Sequence, residues 1–88
     1  MVEPFLYTIR IANRARKDIE KLEPKVKEKL RDILENVISQ NPYEGKKLIG
    51  DLAGYYSYRL TYKDRIIYSI DEKQKIIYVE RARTHYGE

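Results

Sequence analysis

"YYSYRLTYKDRIIYSIDEKQKIIYVERA" (residues 55–82) decides the fold. It holds three runs rich in β-branched and aromatic residues, "YYSYRLTY" (55–62), "RIIYSI" (65–70) and "KIIYVERA" (75–82). Lys63-Asp64 and "DEKQ" (71–74) separate them. Runs of this length, spaced by short polar turns, predict an antiparallel meander.

Upstream of the meander, "KKLIG" (46–50) reads as a further short strand, and "QNPYEG" (40–45) as a break, because the residue before a proline avoids the α region and Gly45 supplies a turn. Before that break the period changes. Val26, Leu30, Ile33, Leu34, Val37 and Ile38 recur at helical spacing, with Lys25, Lys27, Glu28, Lys29, Arg31, Asp32 and Glu35 on the opposite side. This pattern predicts an amphipathic helix over 24–39, opened by Pro24, whose ring is tolerated in a first turn. Ala12, Ala15, Ile19 and Leu22 predict a shorter helix with Asn13 as its candidate cap. "FLYTIRI" (5–11) reads as a first strand. The expected order is β-α-α-β-β-β, an α+β domain spanning 1–88, with a mostly antiparallel twisted sheet and both helices on one face. No internal repeat, low-complexity tract or linker divides it.

Alternation sorts strand side chains onto two faces. It groups Tyr56, Tyr58, Leu60 and Tyr62 against Tyr55, Ser57, Arg59 and Thr61, and Ile66, Tyr68 and Ile70 against Arg65, Ile67 and Ser69. In the last strand it groups Ile76, Tyr78, Glu80 and Ala82 against Ile77, Val79, Arg81 and Arg83. Where the registers bring Arg59, Arg65 and Arg83 together, they form a cationic floor. "RARTHYGE" (81–88) then carries the lone histidine, His85, to the edge of that floor.

Eighteen basic residues against fourteen acidic ones give a net charge of +4, which suits a polyanionic partner. Five of the nine tyrosines fall within 55–68, where strand formation and base stacking both favour them. Without cysteine there is no disulfide framework and no thiolate metal site, and one histidine with scattered carboxylates (Asp64, Asp71, Glu72) makes no ligand cluster. No apolar run is long enough to span a membrane, and "MVEPFLYTIR" lacks the apolar region of a signal peptide. A cytoplasmic protein is expected, with no membrane, metal or small-molecule cofactor.

The string "NPYEGKKLIGDLAGYYSYRLTYKDRIIYSID", followed by a strand and a basic His-Tyr element, resembles the RelE/ParE superfamily of toxins from toxin–antitoxin pairs. The likeness runs from the helical pair ending in "NP" through almost the whole chain, and the tail (Arg83, His85, Tyr86) is most similar to the YoeB branch. It implies an endoribonuclease that cleaves messenger RNA in the ribosomal A site and is silenced by a cognate antitoxin. It further implies that Arg65 contacts the scissile phosphate, that Arg59 is a basic neighbour one strand earlier, and that His85 and Tyr86, with Arg83, complete the catalytic set. Lys46 and Lys47 stand where the YoeB branch has a catalytic glutamate next to a proline. Glu44 is offset from that position. RelE itself relies on lysines and arginines, a style in which Lys46, Lys47 and Arg81 would contact RNA.

The chemistry needs these residue types. A ribose 2′-hydroxyl can attack the adjacent phosphate if a base removes its proton, cations hold the charge on the phosphoryl oxygens and an acid protonates the departing 5′-oxygen. Histidine serves either proton step, and arginine offers a fixed fork of donors that never loses its charge. Two other readings share the residues. A ParE-like toxin of this fold inhibits DNA gyrase and lacks the His-Tyr tail. A non-catalytic RNA- or protein-binding module would use the basic face without turnover.

Overall fold

In the computed structural model, which describes residues 6–84 apart from the side chains of Arg83 and Thr84, the meander forms the body of a five-stranded sheet. Its strands are β1 (Thr8–Ile11), β2 (Lys46–Lys47), β3 (Tyr56–Arg59), β4 (Asp64–Asp71) and β5 (Ile76–Thr84). They lie in the order β1-β5-β4-β3-β2, with β4 in the centre. All neighbours are antiparallel except β1, which runs parallel to β5. The 46–50 run joins the ladder over Lys46–Lys47 and gives the sheet a fourth strand after the helices, one more than the expected β-α-α-β-β-β order counts, while 55–62 is regular strand over Tyr56–Arg59.

The reversal into β4 comes earlier than the sequence suggested. Residues 60–63 form it, because Leu60 N–H already donates to the Asp64 carbonyl at 2.7 Å. Thr61 Oγ1 accepts from Asp64 N–H and donates to its carboxylate, both at 2.9 Å. Alternation ends with β3 for that reason: Leu60 is buried, while Tyr62 lies 88% exposed at the turn.

Helix α1 (Asn13–Glu20) starts at its expected cap residue, one position earlier than a cap at Asn13 would allow. Asn13 is already helical, and Ala12, in extended backbone with no side-chain cap, takes the boundary position. Helix α2 (Pro24–Ile33) has Pro24 in its first turn, as expected, and continues into a π turn at Leu34–Ile38. Ala15, Leu30, Ile33, Leu34 and Ile38 from this layer bury against Leu60, Ile66, Tyr68, Ile77, Val79 and Ala82 of the sheet. The methyl of Ala15 is fully covered, which lets α1 approach β5 closely. No helix among the described residues is long and apolar enough to cross a membrane.

One sorting of side chains differs from the alternation. The β4–β5 register shifts between Ile67 and Tyr68, so that Ile67 faces Arg81 and Tyr68 faces Val79, leaving Glu80 as an extra residue. This β-bulge switches parity. Ile77, Val79 and Ala82 therefore share the buried face, whereas strict alternation had separated Ala82 from the other two.

Tyrosines tie the far end of the sheet. Tyr68 stacks on Tyr56 at 5.7 Å, Tyr43 meets Tyr56 edge-on at 5.8 Å, and the buried Tyr68 hydroxyl donates to the Pro42 carbonyl at 2.6 Å. Gly45 leaves the room for this. A Cβ there would collide with the Tyr68 hydroxyl and lie 2.9 Å from the Ser57 carbonyl. Gly45→Ala is expected to lower unfolding free energy by about 1–3 kcal/mol, read by urea denaturation. A loss under about 0.5 kcal/mol would mean the tyrosine moves aside freely.

Beyond the other end of β4 from Arg65, Glu72 gathers three donors. Tyr43 reaches it at 2.6 Å, Lys75 at 2.7 Å and Tyr7 at 2.9 Å. Lys75 foremost, then Tyr43 and Tyr7, hold its carboxyl down at about 2 against an ordinary 4.5. The hydrogen bond to Glu72 pushes the Tyr43 phenol up to about 12, and burial does the same to Tyr68. Linkage fixes the signs. The depressed carboxyl stabilises the fold above pH 4.5, and that contribution is lost as pH falls towards 2. The raised phenols stabilise it below pH 10, and theirs is lost as pH climbs towards 12. A melting temperature that is level between these limits and falls outside them is expected. Glu72→Gln should remove much of the acid limb, and an unchanged limb would assign it to other carboxyls.

Candidate nucleic-acid interface

The helices cover one face of the sheet, so the other presents whatever β2 to β5 carry on the opposite parity. Register brings three arginines into one cross-strand row there: Arg59 pairs with Arg65, and Arg65 with Arg83. The row ends the β3–β4 ladder, just before the 60–63 turn. Like charges directly opposite repel and destabilise a sheet. One of them also carries an unmet demand, since the Arg65 Nε is buried and has no hydrogen-bond partner. Such an orphaned donor costs about 1–3 kcal/mol unless something accepts from it. An anion lying on the row would answer both penalties.

The neighbouring row is Lys46–Ser57–Ile67–Arg81. Its register puts exposed Lys46 on the arginine face and Lys47, opposite Tyr56, on the helix-side parity. The two lysines therefore separate.

Arg81 is occupied. Its Nε and Nη2 donate to the Asp18 carboxylate at 2.8 and 3.1 Å, and the Ala82 N–H joins at 3.1 Å. β1 stops at Ile11 opposite Val79, so β5 runs on past its neighbour. Asp18 on α1 supplies the acceptor that a continuing strand would have given. Its carboxylate also holds the Arg81 guanidinium further above its already high pKa. Arg81 ties a helix to the sheet, and its guanidinium is held by protein. No sequence spacing announces the Asp18 partner, which lies 63 residues away.

Glu44, the offset carboxylate, accepts from Asn41 Nδ2 at 3.1 Å in the turn that precedes β2. His85 and Tyr86 lie outside the described residues, and of Arg83 only the backbone position is described.

A family model described as a ParE-like toxin of type II bacterial toxin–antitoxin systems matches residues 9–87. The chain belongs to that toxin family. Solved structures agree. The toxin–antitoxin complex RelBE2 from Mycobacterium tuberculosis superposes with a TM-score of 0.83 at 30% identity, over 91% of this chain and 99% of that one. A YoeB/ParE toxin from Agrobacterium tumefaciens gives 0.79 at 27%, covering 90% and 99%. The YoeB–YefM complex from Staphylococcus aureus gives 0.74 at 25%, covering 91% and 98%. No curated protein sequence matches this toxin. Its α+β fold is that of RelE and YoeB, and it falls in the RelE/YoeB-like branch of the RelE/ParE superfamily.

Proposed function

We propose that this toxin is a metal-independent endoribonuclease that cleaves messenger RNA in the ribosomal A site of the cytoplasm. The observation that carries the reading is the Arg59–Arg65–Arg83 row with its orphaned Arg65 Nε. A phosphodiester laid on the row accepts that donor and screens the repulsion along it, and the planar guanidinium fork matches two phosphoryl oxygens. The 2′-hydroxyl attacks the adjacent phosphorus, the bond to the 5′-oxygen breaks, and the products are a 2′,3′-cyclic phosphate and a 5′-hydroxyl. His85 moves a proton in this scheme, Arg65 and Arg83 hold the developing charge, and Tyr86 positions the nucleotide. Lys46 extends the cationic track, and Lys47 contacts RNA from the sheet edge. Arg81 lies in the next row of the same face, where its pair with Asp18 holds it.

A cognate antitoxin is the expected protein partner, as in the RelBE2 and YoeB–YefM complexes that the fold resembles. It would silence the toxin by covering Arg59 and Arg65.

Purified toxin added to ribosomes programmed with a defined messenger should produce upstream fragments ending in a cyclic phosphate or its 3′-phosphate product, in the presence of chelator. A 3′-hydroxyl end, or loss of cleavage on chelation, overturns the scheme. The family model's ParE-like description favours a second reading, a gyrase inhibitor. Growth arrest with intact messengers and inhibited supercoiling would select it.

A further inference from the structure

Strand β5 carries Arg83 into the arginine row and runs on in sequence to His85, yet its last residues are paired on one side alone. β4 accompanies it from Ile76 to Thr84, whereas β1 pairs over Ile76–Val79 and closes with the Ala12 N–H on the Val79 carbonyl at 3.0 Å. The bulge at Glu80 then interrupts the remaining ladder as soon as β1 has ended. We propose that Asp18 on α1 is a positioning residue for the ribonuclease site, holding the end of β5 in register so that Arg83 and the segment after it meet the scissile phosphate. The proposal rests on the ribonuclease reading above and adds to it a residue that touches no RNA.

The Asp18 carboxylate sits where the next hydrogen bond from β1 would have come. It accepts from the Ala82 N–H at 3.1 Å and from Arg81 Nε and Nη2 at 2.8 and 3.1 Å. Its side chain is only 13% exposed, so little water competes for it. Hydrogen bonds to an ionised acceptor are roughly twice as strong as neutral ones. The helix that carries the carboxylate is itself anchored, since Ala15, one turn earlier, is fully buried and Ile19 packs on the core. Asp18 is a fixed point on the sheet edge.

What it fixes lies beside the row. Ala82 immediately precedes Arg83, which faces Arg65 in register. A one-residue slip turns the side chains of a strand to its other face, so a slip beyond the bulge would take Arg83 off the row. His85 follows Ala82 by three residues, a reach of about 10 Å in extended chain. An error at Ala82 therefore passes directly to the segment that moves the proton in the proposed scheme. Misplacing a reacting group by about 1 Å can lower a rate 10²-fold. The bulge makes such a hold necessary: it leaves one residue unpaired and loosens the ladder, and Asp18 grips the two residues that come next, Arg81 and Ala82.

The test combines amide hydrogen exchange with single-turnover cleavage on programmed ribosomes, at a temperature where the variants compared are folded. Asp18→Ala should speed exchange at Ala82, Arg83 and Thr84 by at least about fivefold, while residues 66–70 and 76–79 keep wild-type protection. Its cleavage rate should fall about 10–100-fold with ribosome affinity unchanged. Asp18→Asn keeps an oxygen for the Ala82 N–H but loses the charge that grips Arg81, so it should fall between wild type and Asp18→Ala in both readouts. It carries the test if Asp18→Ala does not fold. Leu34→Ala, which opens a cavity in the core, should cleave at the wild-type rate while folded, which separates lost stability from lost position. Unchanged exchange at 82–84, a uniform rise across the sheet, or a local rise with an unchanged cleavage rate overturns the inference and leaves the ribonuclease reading standing. No cleavage by wild type at all overturns that reading, and this inference with it.

Discussion

Arg65→Ala should reduce messenger cleavage by at least about 10²–10³-fold, the usual loss when one preorganised charge-stabilising donor is removed, while the protein folds as well as before or better. The second half separates this substitution from ordinary damage. Arg65 stands between two other arginines in register, and its Nε is buried without a partner. Alanine removes two repulsive cross-strand neighbours, each worth about 0.2–1 kcal/mol, and removes an unsatisfied donor. Against this stands the lost packing of the arginine stem. The net expectation in urea is no loss, or a gain of up to about 1 kcal/mol, and the gain should shrink at high salt as the row is screened. Arg65→Lys should recover only part of the cleavage, because an ammonium lacks the planar fork.

Arg81 supplies the contrast. It lies two residues from Arg83 and reads the same in sequence, yet it is tied to Asp18. Arg81→Ala should lower stability by about 1–2 kcal/mol, because the Asp18 carboxylate loses its guanidinium while still capping the Ala82 N–H. One arginine is retained at a cost to the fold and the other serves the fold. A stable, fully active Arg65→Ala variant would remove the row from the site. An Arg65→Ala variant that unfolds by more than about 2 kcal/mol would make the arginine a structural member instead.

What the sequence could say about this molecule follows from which forces are local. The α2 face was legible because six apolar residues repeat at the helical period and the opposite face is charged. The meander was legible because tyrosine and isoleucine runs are broken by short polar turns. The arginine row was conditionally legible, since alternation put Arg59 and Arg65 on matching faces and only register could align them with Arg83. The bulge escaped strict alternation, although its trace is visible. Ile77 and Val79 share one parity and Ala82 has the other, and a strand that buries all three needs one extra residue between them. Asp18 left no trace at all. Its role depends on β1 ending early and α1 folding back along β5, which is a property of the tertiary arrangement. The same holds for Tyr7, Tyr43 and Glu72, which are far apart in the chain and meet only when the N-terminal strand, the 42–44 turn and the β4–β5 turn converge.

His85→Ala is expected to slow cleavage by about 10²–10⁴-fold, the range for one general acid or base, with RNA affinity nearly unchanged. The argument starts from the division of labour on the sheet. The described residues supply cations in quantity, and the carboxylates next to them are engaged: Asp64 accepts from Thr61 and Asp18 from Arg81. Arginine stabilises charge but does not move protons near neutral pH. The proposed scheme therefore takes its proton carrier from beyond the row, and the lone histidine comes two residues past Arg83 in the sequence. A messenger with a single deoxyribose at the cut position should resist wild type completely, because the nucleophile is missing, and should bind as well as the all-ribose strand. Such a strand separates the two roles. Its affinity should fall in Arg65→Ala, which loses a phosphate contact, and hold in His85→Ala, which loses only a proton carrier. Arg83→Ala and Tyr86→Ala should follow the Arg65 pattern. Unchanged cleavage in His85→Ala would transfer the proton work to lysine, with Lys46 first in line because it alone of the lysine pair shares the arginine face. Cleavage of the deoxyribose strand would remove the 2′-hydroxyl, and with it the reason for placing an acid and a base beside the row.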